Sequence, residues 1–81
     1  MKTMSGADKL MAKMRNNPRG WRIDTLIGVA EKYGVEIRHH GGSHYVFSHP
    51  AYASLVTVPA HRPIKPVYIK QFIDLIDQVK E

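Results

Sequence analysis

The sequence predicts a two-layer α+β domain: a helix, a three-stranded antiparallel sheet and a second helix, preceded by an extra short helix. Three observations carry that expectation. Leu26, Val29, Ala30 and Tyr33 fall at i, i+3, i+4 and i+7, as do Ile69, Phe72, Ile73 and Ile76, so each set lays an apolar stripe along one side of a helix. Between these stripes lie VEIRHH, HYVFS and LVTV, short runs rich in β-branched and aromatic residues, the composition of strands. Glycine and proline punctuate the connections. Two helices laid on one face of such a sheet bury both stripes, and the other face is left in water.

In chain order, residues 1 to 6 are expected to fray. From Asp8, DKLMAKMRNN supports a short helix with Leu10, Met11 and Met14 on one side, ended by NNPRG. Asp24 has the chemistry of an N-cap for the second helix, and Gly34 supplies its stop, because glycine enters the left-handed region without steric cost. VEIRHH alternates Val35 and Ile37 with Glu36 and Arg38, a strand with one buried face. Gly41, Gly42 and Ser43 form a tight connection into HYVFS, where either Val46 or the pair Tyr45 and Phe47 points to the core. AYAS is a loop, and LVTV is a third strand stopped by Pro59. After the loop AHRPIK, Pro66 suits the first turn of the last helix, where its missing N–H costs nothing. Val79 extends the stripe of that helix; Lys70, Asp74, Asp77 and Lys80 form its hydrophilic face.

With 81 residues there is room for one core only. A hydrophobic content of 43% with 23% charged residues is that of a chain that folds. The absence of cysteine removes disulfides and thiolate metal sites and fits a reducing compartment. No apolar run approaches the roughly 20 residues of a membrane span, and the N-terminus has no apolar signal core, so the expected location is cytoplasmic, with no membrane partner. Net charge is +5, unevenly placed: residues 1–22 hold Lys2, Lys9, Lys13, Arg15, Arg19 and Arg22 against the single acid Asp8, whereas the remaining chain balances. The chain therefore divides into a basic extension, residues 1–22, and a core, residues 23–81. Such an extension suits a polyanionic partner, nucleic acid or an acidic protein, or else is a solvated tail.

HHGGSHYVFSHP, residues 39–50, gathers four of the five histidines. A metal needs three or four converging ligands, yet His39 and His40 are adjacent in a strand and point to opposite faces, and no HExxH or cysteine spacing supports the rest. No metal and no cofactor are expected. His39, His40 and His49 read most simply as polar residues of strand ends and turns. His44 differs, because it directly follows Gly42 and Ser43, whose small size leaves room for a bulky substrate. An imidazole titrating near pH 6.5 can take the 2′-hydroxyl proton of RNA or give one to the leaving 5′-oxygen. Holding the phosphate falls to Arg38, Arg62, Lys65 and the helix beginning near Pro66, with His61 as a further candidate. On this chemistry alone the chain is an RNA-binding protein or a nuclease.

GGSHYVFSHP followed by LVTVPAHRPIKPVYIKQFIDLI resembles the HicA-type mRNA interferase toxins of toxin–antitoxin systems. The likeness covers roughly residues 21–79: the Gly-Ser-His turn, the aromatic strand ending in His-Pro, the Thr-Val-Pro strand end and the Lys-Pro approach to the last helix. It implies a double-stranded-RNA-binding-domain-like fold and metal-independent endonucleolytic cleavage of mRNA, with His44 as the catalytic residue. Gly42 and Ser43 match the neighbours of that histidine and join Arg38, His61, Arg62 and Lys65 as the expected RNA-contacting set. The implied partner is a HicB-type antitoxin. The shortest members of the family begin almost at the first core helix, so the basic helix and NNPRGW are a departure. Trp21 is expected to pack under the sheet, and Ile69, Phe72 and Ile76 to be core. A non-catalytic RNA-binding module and a protein-docking subunit are the alternatives. A duplex substrate is disfavoured, since reading about 16 base pairs takes several basic clusters and the core is balanced in charge.

Overall fold

The computed structural model describes residues 6–39, 41–60 and 63–80. The runs identified above become α1 (Gly6–Asn16), α2 (Ile23–Lys32), β1 (Glu36–His39), β2 (His44–Ser48), β3 (Val56–Pro59) and α3 (Pro66–Lys80). The strands form one antiparallel sheet in the order β1-β2-β3. Of the segment expected to fray, Gly6 opens α1 and residues 1–5 lie outside the described residues.

Register settles which way β2 faces. Phe47 sits opposite Ile37 on one side and Val56 on the other, while Tyr45 sits opposite His39 and Val58. Phe47 is fully buried and meets Phe72 of α3 edge to face, ring centroids 5.2 Å apart and planes at 70°. Turning Tyr45 and Phe47 inward removes far more apolar area from water than turning Val46 inward, and a strand's period of two allows only one of the choices. Val46 accordingly lies on the other face, in a row with Arg38 and Thr57.

Two boundaries depart from the expected ones. The N-cap of α2 is Arg22, in extended conformation at φ −112° and ψ 155° with no side-chain capping bond, rather than Asp24. Asp24 lies within the first turn instead, where its negative charge meets the positive end of the helix dipole. The third strand is one residue later than LVTV; Leu55 falls outside it and is 67% exposed. Gly34 follows α2 with φ +70°, as its stop requires.

The N-terminal helix belongs to the core. Ala7, Met11 and Met14 are buried in the same cluster as Leu26, Val29, Phe47, Phe72 and Ile76, whereas Leu10 is only partly covered. α1 packs against both α2 and α3. Polar contacts surround that seam: Arg15 pairs with Asp77 of α3, Lys80 Nζ lies 3.7 Å from Asp8, and the Tyr33 hydroxyl donates to Asp8. Burial, followed by the bond to Asp8, pushes the Tyr33 hydroxyl up to about 12, so it remains a donor far above neutral pH. Ion pairs as accessible as Arg15–Asp77 and Lys80–Asp8 contribute little individually, so burial of the methionines holds the helix.

Truncating Met14, which has no exposed surface, removes that burial. Met14→Ala is expected to lower unfolding free energy by roughly 2–5 kcal/mol in urea titration. An unchanged midpoint would mean that α1 is an appendage.

Candidate active site

His44 is the first residue of β2 and pairs with Pro59, the last of β3. The alternation that sends Tyr45 and Phe47 into the helix layer sends His44 to the opposite face. Its side chain is exposed and makes no hydrogen bond among the described residues.

Three contacts brace the turn that presents it. Gly41 takes φ +79°, a conformation only glycine adopts cheaply. His39 stacks on Tyr45, centroids 4.1 Å apart and planes within 7°, and its Nε2–H donates to the Gly42 carbonyl at 2.5 Å. On the far side, the Ala60 N–H donates to the Ser43 carbonyl at 2.6 Å, carrying the pairing of β2 with β3 one step past Pro59. The other described histidine of the cluster, His49, accepts the Ala51 N–H on Nδ1 at 3.0 Å and shapes the bend after β2. His39 and His49 thus have structural work, as their positions at strand ends suggested; His40 lies outside the described residues.

A cleft of about 320 Å³ opens beside His44, lined also by Pro59, Pro63, Lys65 and Tyr68. Lys65 immediately precedes α3, and its carbonyl accepts the Tyr68 N–H at 3.0 Å and the Ile69 N–H at 3.4 Å. That first turn puts the lysine and the tyrosine on one side of the helix, three residues apart. The cleft therefore gathers an imidazole able to exchange a proton, a cation for an anionic group, the N-terminal end of a helix dipole, and an aromatic ring. No acidic residue stands among the described lining.

Of the residues selected from sequence, His44 and Lys65 meet in this cleft, and Gly42 and Ser43 are exposed in the turn beside it. Arg38 shares the open face but is not part of the lining; its Nε donates to Glu36 Oε2 at 3.0 Å on the same strand. His61 and Arg62 lie outside the described residues. Tyr68 was overlooked in the sequence. The signal for it was a second row on α3, Tyr68, Phe72, Leu75 and Val79 at i, i+4, i+7 and i+11, masked by the stronger isoleucine stripe. Among the described residues no three His, Cys, Asp or Glu side chains converge, and register puts His39 and His44 on opposite faces.

Fold and cleft define a small α+β domain of the double-stranded-RNA-binding type, carrying an accessible histidine and a lysine at one end of its sheet. The family model described as HicA toxin of bacterial toxin-antitoxin matches residues 23–78, from the start of α2 almost to the end of α3. The chain belongs to the HicA toxin family and is a toxin of the toxin–antitoxin kind. No curated protein and no solved structure matches it. Within the described residues no helix is long and apolar enough to cross a membrane.

His39 and His44 should respond differently to truncation. His39→Ala loses a stacked ring and a hydrogen bond and is expected to cost about 1 kcal/mol in urea titration. His44→Ala removes an exposed, unpartnered ring and should leave the midpoint in place; a loss as large as that of His39→Ala would mark His44 as structural.

Proposed function

We propose that the protein is an endoribonuclease that cleaves mRNA without a metal ion, with His44 as general acid or base, and that a HicB-type antitoxin neutralises it by covering this cleft. One observation carries the proposal: the single described histidine of the cluster with no structural bond stands at a cleft it shares with a lysine and an aromatic ring. RNA contains its own nucleophile. The 2′-oxygen attacks the adjacent phosphorus as its proton passes to a base, the bond from phosphorus to the 5′-oxygen breaks, and that oxygen takes up a proton. The products are a 2′,3′-cyclic phosphate and a 5′-hydroxyl, and nothing is oxidised or reduced.

An imidazole is suited to either proton transfer at cellular pH. Lys65 and the start of α3 offset charge developing on the phosphate, and Tyr68 offers a face on which a base can stack. Arg38, His61 and Arg62 enter as further phosphate contacts by residue type, and Gly42 and Ser43 by keeping the approach open. The division into an extension, residues 1–22, and a catalytic core, residues 23–81, belongs to the same reading, as does action on mRNA in the cytoplasm. One positioned acid or base contributes about 10² to 10⁴-fold, which suits a modest ribonuclease.

Purified protein incubated with single-stranded RNA in EDTA should yield fragments ending in 2′,3′-cyclic phosphate, and His44→Ala should slow their appearance at least about 100-fold. Binding without fragments would instead favour a non-catalytic RNA-binding module. Cleavage by His44→Ala at the parent rate would remove His44 from the mechanism.

A further inference from the structure

We infer that the segment joining α1 to α2 builds a second RNA subsite next to the His44 cleft, in which Arg19 holds the backbone phosphate of a flanking nucleotide; this rests on the ribonuclease reading above. Arg19 and Gly20 of this segment precede the residues matched by the family, whereas Pro63, Ile64, Lys65 and Pro66 on the other side of the hollow lie within them.

A second hollow of about 370 Å³ is lined by Arg19, Gly20, Pro63, Ile64, Lys65 and Pro66. Pro63 and Lys65 line the His44 cleft as well, so the two hollows share a wall and Lys65 stands at their junction. A single strand reacting at His44 passes over that wall into the second hollow. The accessible apolar surface there comes from exposed Pro63 and half-buried Pro66, backed by buried Ile64, and suits the flat face of a base or ribose. The rim is cationic, and no acid stands among the described lining, which suits phosphate.

Arg19 is presented by a loop that is tied down. The Asn17 N–H donates to the Lys13 carbonyl at 2.9 Å and the Trp21 indole to the Asn17 carbonyl at 2.7 Å. The Arg19 N–H donates to Asn17 Oδ1 at 3.2 Å, and the Ile64 N–H donates to the Trp21 carbonyl at 3.1 Å, joining this loop to the approach to α3. Gly20, at φ +79°, makes the bend between Arg19 and Trp21. The nearby basic residue Arg15 is occupied by Asp77, whereas the Arg19 side chain is exposed and its guanidinium makes no bond among the described residues. Such a guanidinium, on a loop whose backbone is already held beside the cleft, is placed to grip phosphate with only its own side chain left to order.

The test compares the full chain with Arg19→Ala and with Lys32→Ala, a charge-removal control lining a separate hollow between α1 and α2. Cleavage and fluorescence anisotropy are measured on a dinucleotide and on a longer single-stranded oligonucleotide across a salt series. Arg19→Ala should raise KM and Kd for the longer RNA about fivefold, shrink its advantage over the dinucleotide by the same factor, and flatten the salt slope by about 0.7. Lys32→Ala should match the parent. If the parent cuts RNA and Arg19→Ala matches it in KM, Kd and salt slope, the subsite is refuted while the ribonuclease reading stands. If the parent binds RNA without cutting it, the ribonuclease reading fails and the change in Kd alone decides the subsite. A parent that neither binds nor cuts RNA refutes both.

Discussion

The direction in which β2 faces is the constraint from which the site follows. Phe47 must meet Phe72 across the sheet–helix interface, and Tyr45 must follow it inward. Strand geometry then leaves no choice for His44, which comes out on the uncovered face at the end of the strand. A register slip of one residue would bury the imidazole and expose Phe47, exchanging a well-packed aromatic for a desolvated polar ring. Core packing and the exposure of the candidate catalytic group are therefore one requirement.

The turn and the last helix complete the placement from opposite sides. His39 and Ala60 hold the turn through its carbonyls, so His44 is carried by backbone with little freedom to swing. Lys65 and Tyr68 arrive from the start of α3, which is anchored by buried Ile69, Phe72, Ile73 and Ile76. The cleft is thus assembled from the start of β2, the end of β3, Pro63 and the start of α3. The N-terminal helix contributes through the same core: buried methionines seat α1 on α2 and α3, and the segment that follows is held against the approach to α3 by the bond from Ile64 to Trp21.

Much of this was legible in the sequence because the signals are local. The stripes on α2 and α3, the stop at Gly34, the turn at Gly41 and the start at Pro66 each follow from spacing or backbone preference within a few residues. What was not legible depends on partners far along the chain. The inward choice of Tyr45 and Phe47 over Val46 is made by Phe72, and the burial of Leu75 reflects an α3 packed by both β3 and α1, which widens its apolar arc beyond one stripe. Asp24 has capping chemistry, but α2 begins one residue before it. Trp21, expected under the sheet, is partly buried against the core and ties the 17–21 loop to the approach to α3 through its indole and carbonyl. For the site, residue type pointed to His44 and Lys65; it could not foresee that Glu36 would engage Arg38 or that Tyr68 would share the cleft.

The claim at the centre is that the His44 ring moves a proton during RNA cleavage, and chemical rescue measures it most directly. Free imidazole added to His44→Ala should restore cleavage in proportion to its concentration, with a pH dependence that follows the added imidazole rather than the protein. A variant that stays inert at every imidazole concentration while still binding RNA and remaining folded would contradict it.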